Sequence, residues 1–252
     1  MKKFLGYSVF FIAVFTTSLL VYLPASIVVN QLVLPAQLQL NGLQGTIWQG
    51  HVQQVRWQNY DLGELQWTLN PSALLSAKAE ASVRFGRDSA LNLRGKGEVG
   101  YSSEGAYANS LVLSMPMDEV LKRAPIPVPI VAQGQVEVTV RNFVYQAPYC
   151  LNAEGTLAWS QAGIESPLGN LGLEQTIADI TCENSTLIVK GTQKSGEVSS
   201  EYSAQLDPQS RYKAQGWFKP EAEFPEQLGK NLKWLPKPDN QGRYLFNQQG
   251  RL

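Results

Sequence analysis

The chain has 252 residues, of which 21 are lysine or arginine, 21 are aspartate or glutamate and one is histidine. Without an excess of positive charge, it lacks the basic footprint that nucleic-acid-binding proteins carry. His51 is the single histidine, which excludes zinc sites and catalytic triads built on several imidazoles.

The amino terminus carries Lys2 and Lys3, followed by an uncharged run of 20 residues from Phe4 to Leu23. As a helix, a run of this length spans about 30 Å, the thickness of the hydrocarbon core of a bilayer. A cleaved signal peptide is the alternative, but it needs a shorter apolar run and a small-x-small cleavage site. Residues 24–27 give no clean Ala-x-Ala pattern, so the sequence favours a membrane anchor.

The two lysines also predict how the anchor is oriented, because positive residues stay on the cytoplasmic side of a membrane. We therefore expect residues 1–3 in the cytoplasm, a transmembrane helix over 4–23 and an exported domain over 24–252. Without Lys2 and Lys3, the exported part has 19 basic and 21 acidic residues, a net charge near −2.

After the anchor, apolar and polar residues alternate, which is the pattern of strands with one buried face. The apolar positions are Leu65, Trp67 and Leu69; Ala79, Ala81, Val83 and Phe85; Leu91 and Leu93; Leu111, Leu113 and Met115; Val136, Val138 and Val140; Leu157 and Trp159; Tyr202, Ala204 and Leu206; and Tyr212, Ala214, Gly216 and Phe218. Such closely spaced strands leave room mainly for hairpins. The sequence predicts an all-β, mostly antiparallel domain.

Helix is expected only in the membrane segment and in two short pieces, residues 116–123 and 220–228. The first has acidic residues in its first turn and basic residues in its last, which suits the helix dipole. The proline-rich stretch 125–129 indicates an extended connector. A sheet with one apolar face can stack, close into a barrel or curl. A curled single sheet fits the short connections best.

Cys150 and Cys182 are the two cysteines, and in an exported domain such a pair favours a disulfide. Two buried free thiols are the alternative. The bridge would enclose the glycine-rich stretch 163–172, in which Pro167, Gly169 and Gly172 should weaken any strand pairing.

The most distinctive string runs from Gly45 to Gly50, with the sequence GTIWQG, and contains no nucleophile paired with a base. Its glycines allow a turn or bulge and its tryptophan supplies a large anchor, which favours a structural role over a partner contact. Placed just after an N-terminal apolar helix, the string resembles a motif of the protein N family of the type II secretion system. The matching residues are Leu40, Gly42, Gly45, Thr46, Ile47, Trp48 and Gly50.

The resemblance extends along the chain to the central prolines, the late cysteine pair and a C-terminal strand from Gly242 to Arg251. It implies a single-pass protein of the bacterial inner membrane with a periplasmic domain, without known catalytic residues. The domain also looks similar to the curled half-barrel sheets of AsmA-type lipid-handling proteins, which is an analogy of fold only.

No Gly-x-Ser-x-Gly, Walker or Ser-x-x-Lys pattern is present, so we expect no enzyme, no catalytic residues, no cofactor and no metal site. The leading hypothesis is an accessory component that supports export across the outer membrane. Its partners would be other inner-membrane or periplasmic subunits of the secretion system. The rival hypothesis is a periplasmic lipid-binding or lipid-transfer module with an apolar groove.

Overall fold

The computed structural model describes residues 2–31, 34–123 and 129–251. The chain begins with helix α1 (Lys2–Val21), and the short helix α2 (Ala25–Gln31) follows it closely. In the part of the chain that is described, no helix combines the length and the apolar character needed to cross a membrane. The membrane span over residues 4–23 therefore stays a prediction.

Beyond α2, the described chain forms one sheet of thirteen strands. The strands are β1 (Leu38–Gly45), β2 (Gln49–Trp57), β3 (Tyr60–Leu69), β4 (Ala79–Arg87), β5 (Arg94–Ser102), β6 (Gly105–Pro116), β7 (Val131–Val144), β8 (Asn152–Ser166), β9 (Gly169–Glu183), β10 (Thr186–Lys194), β11 (Val198–Leu206), β12 (Arg211–Pro220) and β13 (Tyr244–Arg251). Each pairs antiparallel with its neighbours in sequence, for example β1 with β2 and β12 with β13. Since β1 and β13 lie at opposite edges of this order, the sheet is open, and the predicted all-β, mostly antiparallel class is confirmed.

Short helical segments join some of the strands: α3 (Pro71–Leu74), α4 (Met117–Leu121), α5 (Glu226–Asn231) and a 3-10 helix (Leu232–Trp234). The prediction of only two short helices was wrong, because α2, α3 and the 3-10 helix are additional. The signal for α3 is local: Asn70 Oδ1 accepts a hydrogen bond from the Ser72 N–H at 3.2 Å, and Pro71 begins the helix. Helix α5 starts at Glu226, later than predicted, because β12 includes Pro220 and the Glu221 and Glu223 N–H groups then donate to the Glu197 and Gly196 carbonyls.

Two further expectations from the sequence need correction. Leu91 and Leu93 lie in the connection between β4 and β5, where left-handed backbone at Asp88 (φ 59°) and Asn92 (φ 49°) turns the chain. Residues 163–172 are firmly paired, because β8 and β9 continue to the facing pair Ser166 and Gly169. Pro167 sits in the tight turn there, where its missing N–H removes no ladder bond. The proline-rich connector 125–129 lies outside the described residues apart from Pro129.

The strand register gives the sheet two chemically different faces. A row of facing residues on one face is Leu113, Val138, Leu157, Ala178, Gly191, Tyr202, Gly216 and Phe246. The adjacent row on the opposite face is Val112, Thr139, Thr156, Asp179, Lys190, Ser203, Gln215 and Asn247. We call these the apolar face and the polar face.

No second sheet covers the apolar face among the described residues. Substantial contacts between strands are confined to hydrogen-bonded neighbours, and helix packing on the sheet is limited to short segments such as α4 on β6 and β7. Val52, Cys150 and Cys182 are the largest side chains that are fully enclosed. The apolar face is therefore half-buried by its own side chains and does not form the usual two-layer core.

Candidate functional site at the junction of helix and sheet

The motif lies at the first hairpin of the sheet, where Leu40 and Gly42 are in β1 and the string from Gly45 to Gly50 runs through the turn into β2. Gly45 ends β1, facing Gly50 across the hairpin, and Thr46 to Trp48 form the turn. The Thr46 N–H donates to the Gln49 carbonyl at 2.9 Å, and the Gln49 N–H returns a 3.3 Å hydrogen bond to Thr46 Oγ1. The threonine therefore closes the turn through both its backbone and its hydroxyl.

Glycine is required at the end of β1 by both conformation and space. Gly45 has φ +99°, a region that side-chain-bearing residues rarely adopt. A Cβ at this position would lie 2.5 Å from the Gln49 carbonyl oxygen and 2.6 Å from the Gly50 Cα. The close hairpin therefore depends on this glycine.

The same turn is bonded to the end of the first helix. The Trp48 indole N–H donates to the Leu20 carbonyl at 2.9 Å, and the Ile47 N–H donates to the Leu23 carbonyl at 3.1 Å. Pro24 forms an isolated antiparallel bridge with Thr46. The last carbonyls of a helix have no partner within it, so the turn satisfies a group that would otherwise be left unpaired.

On its other side, the turn is held by β3. The Trp67 ring lies over Gly50, and its indole N–H donates to the Ile47 carbonyl at 3.2 Å. The Leu69 N–H donates to the Trp48 carbonyl at 2.6 Å. The turn is thus fixed between α1 and β3, and helix and sheet are joined by direct contacts.

The junction also contains residues that the motif did not identify. Leu20 and Leu23 take part only through backbone carbonyls, which no side-chain pattern can reveal. In the sequence, Trp67 belongs to an alternating strand and carries no sign of a contact with the turn. Ala25, the first residue of α2, is 3% exposed, and a larger side chain would not fit this enclosed position.

The disulfide lies in a second cluster of buried residues, at the end of the β8–β9 pair opposite the turn between Ser166 and Gly169. Cys150 and Cys182 are bonded, as the sequence predicted, with their Cα atoms 6.4 Å apart and with 2% and 1% of each residue exposed. Ala153 is buried against them, and Phe143, Tyr149 and Leu187 pack around the cluster. The Ser185 N–H donates to the Cys150 carbonyl at 2.7 Å, which fixes the loop that carries this cysteine.

The contacts at these two centres are backbone hydrogen bonds, aromatic packing and one disulfide. His51 lies on β2, facing Gln44 and Gln66 on the polar face. Within the described ranges, no group of three His, Cys, Asp or Glu side chains is placed to hold a metal ion. The junction offers backbone hydrogen bonds and aromatic packing, which are the means to hold one element against another.

The apolar face is the other candidate site. Phe85 lies over Gly95 of the neighbouring strand, and Tyr202 lies over Gly191 in the same way. A Cβ on either glycine would collide with the ring, so the close approach depends on glycine.

An open antiparallel meander, fastened through its first hairpin to an N-terminal helix, defines the class of this protein as an all-β domain carried by a helix. Residues 36–247 match the family described as Type II secretion system (T2SS), protein N. The chain belongs to this family, and the resemblance indicated by the GTIWQG string is confirmed.

Individual relatives agree along the whole chain. It is 51% identical over 252 residues to the type II secretion system protein N of Vibrio cholerae serotype O1, with both chains completely covered. It is 36% identical over 255 residues to the protein N of Aeromonas hydrophila, again with complete coverage. The protein N of Klebsiella pneumoniae is 27% identical over 252 residues, covering 99% of this chain and 97% of the relative. No solved structure matches the chain significantly.

Proposed function

We propose that this chain is a non-catalytic accessory component of the type II secretion system, acting at the inner membrane to support export of periplasmic proteins across the outer membrane. Membership of the protein N family supports the secretion role. The observation that carries the accessory role is the junction, where Trp48 bonds to the last turn of α1 and Ile47 bonds to Leu23 just after that helix ends. Such a joint suits a protein that positions partners.

The proposal includes the membrane topology: residues 1–3 cytoplasmic, a span over 4–23 and a periplasmic domain over 24–252. The uncharged 20-residue run after Lys2 and Lys3 supports it. Large apolar side chains on α1, among them Phe10, Phe11 and Phe15, are exposed, and the rings of Phe11 and Phe15 stack on each other along the helix. A bilayer would cover them.

Alkaline phosphatase fused after residue 60 tests this topology, because the enzyme is active only when exported. We expect an active fusion and a mature chain that still contains residues 1–23. An inactive fusion, or a mature chain that begins near residue 26, would contradict the anchor.

Deletion of the gene tests the secretion role. We expect less of a secreted enzyme in the medium and more of it retained in the periplasm, with restoration by the intact chain. Unchanged secretion under all growth conditions would contradict the role. Complementation of the deletion with a Trp48→Ala chain then tests the junction, because this change loosens the junction and leaves the rest of the sheet intact.

Partners within this proposal are other inner-membrane or periplasmic subunits of the secretion system. The exposed side of α1 offers a surface for packing against other membrane helices. Co-purification of partners with the full chain and with a chain that lacks α1 distinguishes partners of the helix from partners of the sheet.

A second candidate function, lipid binding, is favoured by the apolar face. In the described chain that face is half-buried and has no covering layer, while the opposite face carries polar residues. This difference supports a sheet curled toward its apolar side, as in an AsmA-like half-barrel. The inside of such a sheet would present a groove to acyl chains.

Two adjacent residues on β8 provide a matched test of lipid binding, because Leu157 lies on the apolar face and Thr156 on the polar face. The photo-reactive residue p-benzoylphenylalanine can be placed at either position in intact cells. If the groove binds lipid, phospholipid adducts form from position 157 and far less from position 156. Equal or absent labelling at both positions would leave the accessory role without a lipid site.

A further inference from the structure

The two edges of the sheet differ in how well they are protected. At the β1 edge, helix α2 contacts the strand, and Pro24 forms a bridge with Thr46 directly after the strand ends. Left-handed backbone at Gly42 (φ 70°) interrupts the strand midway. A covered and interrupted edge is poorly suited to accept another strand.

The β13 edge has none of these protections. Within the described chain, β12 is its one substantial neighbour, and every residue from Leu245 to Arg251 is exposed. Leu245 is 63% exposed and Phe246 is 46% exposed. The strand contains no proline and no acidic residue, and its one charge, Arg251, is at its end. Natural edge strands usually carry charges or prolines that discourage pairing.

We propose that β13 is the interface through which two copies of this chain associate, edge to edge and antiparallel. The partner is a second copy because the described sheet leaves one edge open, and the row of N–H and C=O groups on that antiparallel edge is complementary to the same row on a second copy. A β13-to-β1 contact would use the protected edge and would continue into an open chain of molecules, whereas β13-to-β13 pairing closes after two. This inference does not depend on the secretion role.

The two faces restrict the register to those in which residues of the same face oppose each other, because directly opposed residues of an antiparallel pair share a face. A two-fold axis that sets Gln248 opposite Gln248 of the second copy keeps the apolar faces of both copies on the same side. It sets Phe246 opposite Gly250 of the second copy and Leu245 opposite Arg251. The terminal arginines then face apolar side chains and not each other.

A single cysteine at the axis tests the interface in the full-length chain expressed in intact cells. The native cysteines are bonded and buried, so Gln248→Cys supplies the one free thiol. Mild oxidation should give a disulfide-linked dimer on a non-reducing gel. Matched controls are Gln39→Cys on the β1 edge and Lys190→Cys on the polar face, both exposed. The proposal is overturned if Gln248→Cys crosslinks no more than Lys190→Cys, or if Gln39→Cys crosslinks equally well.

Charge at Leu245 provides a second test in the Gln248→Cys background. Leu245→Arg would set two cations opposite each other, and Leu245→Glu would pair an acid with Arg251 of the second copy. Both changes replace the same exposed side chain, so their effects on the single molecule are matched. We expect about fivefold less crosslinked dimer with arginine than with glutamate. Equal yields from the two variants would overturn the register and the interface that it defines.

Discussion

The indole N–H of Trp48 donates a 2.9 Å hydrogen bond to the carbonyl oxygen of Leu20, 28 residues earlier in the chain. The bond joins the last turn of α1 to the turn before β2. Together with the hydrogen bond from Ile47 to Leu23 beside it, this contact fixes the position of the first hairpin relative to the end of α1. A displacement of the helix end would therefore be passed to the first hairpin.

The Trp48 bond can be removed with little change in packing by Trp48→Phe. We expect the Ile47 amide, which donates to Leu23, to exchange with deuterium about fivefold faster, as follows from losing about 1 kcal/mol of local stability. Hydrogen exchange of the full chain in detergent micelles measures this. Trp159→Phe is the matched control, because its indole donates to the Gln133 carbonyl at 2.8 Å, far along the sheet. Equal Ile47 exchange in both variants would contradict a direct bond to the helix.

Gly45→Ala tests the hairpin that carries the motif. Alanine is strained at φ +99° and its Cβ would collide with the Gln49 carbonyl, so we expect a loss of about 1–3 kcal/mol in the free energy of unfolding. Gly229→Ala in α5 is the control, since a Cβ there meets nothing within 4 Å and alanine favours helix by up to about 1 kcal/mol. Urea unfolding should give a lower free energy of unfolding than the wild type for Gly45→Ala and a higher one for Gly229→Ala. A Gly45→Ala variant as stable as the wild type would show that the turn adapts.

Much of the fold follows from short-range pattern, and the departures have identifiable physical causes. The alternation at Val136, Val138 and Val140 predicts a strand because it matches the pleat of β7. Leu91 and Leu93 show the same alternation, but left-handed residues on either side of Leu91 turn the chain into a loop. Period-2 spacing alone does not distinguish these two situations.

The site shows a similar division between what the sequence reveals and what it does not. The glycines and Trp48 of the motif signal a special turn, because few other residues can adopt that backbone or anchor it. Their partner Leu20 belongs to a helix of apolar residues and contributes a carbonyl oxygen, which every residue possesses. Its role depends on the tertiary arrangement and could not be found from sequence.

Tyr107 gives a pH-dependent prediction. Its hydroxyl donates to Glu80 at 2.8 Å, and burial, reinforced by that hydrogen bond, raises the pKa of Tyr107 to about 12. A folded pKa above the ordinary value of 10 means that the fold favours the neutral phenol. Its contribution to stability is therefore fully present below pH 10 and is lost as the pH rises from 10 toward 12.

Tyr107→Phe removes the hydrogen bond to Glu80, so at pH 8 we expect the free energy of unfolding to fall by about 1 kcal/mol and the urea midpoint to fall with it. The difference from the wild type should shrink as the pH approaches 12, because the wild type then loses the same contribution. Tyr101→Phe, on the neighbouring strand and 66% exposed, is the control. A difference that grows with pH would contradict the proposed linkage.

The disulfide gives the last prediction, because it closes a loop between two positions 32 residues apart. Replacing Cys150 and Cys182 with serine removes that constraint on the unfolded chain, and we expect a loss of roughly 2 to 4 kcal/mol in unfolding free energy. The sheet should persist, since β8 and β9 remain paired along most of their length. Circular dichroism of the double variant should therefore keep its strand signal while the urea midpoint falls.

Thiol labelling of the denatured, unreduced wild-type protein is the direct measurement. We expect no titratable thiol before reduction and two per chain after it. A reductant should lower the urea midpoint of the wild type to that of the double serine variant and leave the variant unchanged, because the bridge is the one group that the reductant alters. Two thiols in the unreduced protein would refute the bond in the cell, and with it one support for the exported location of the domain.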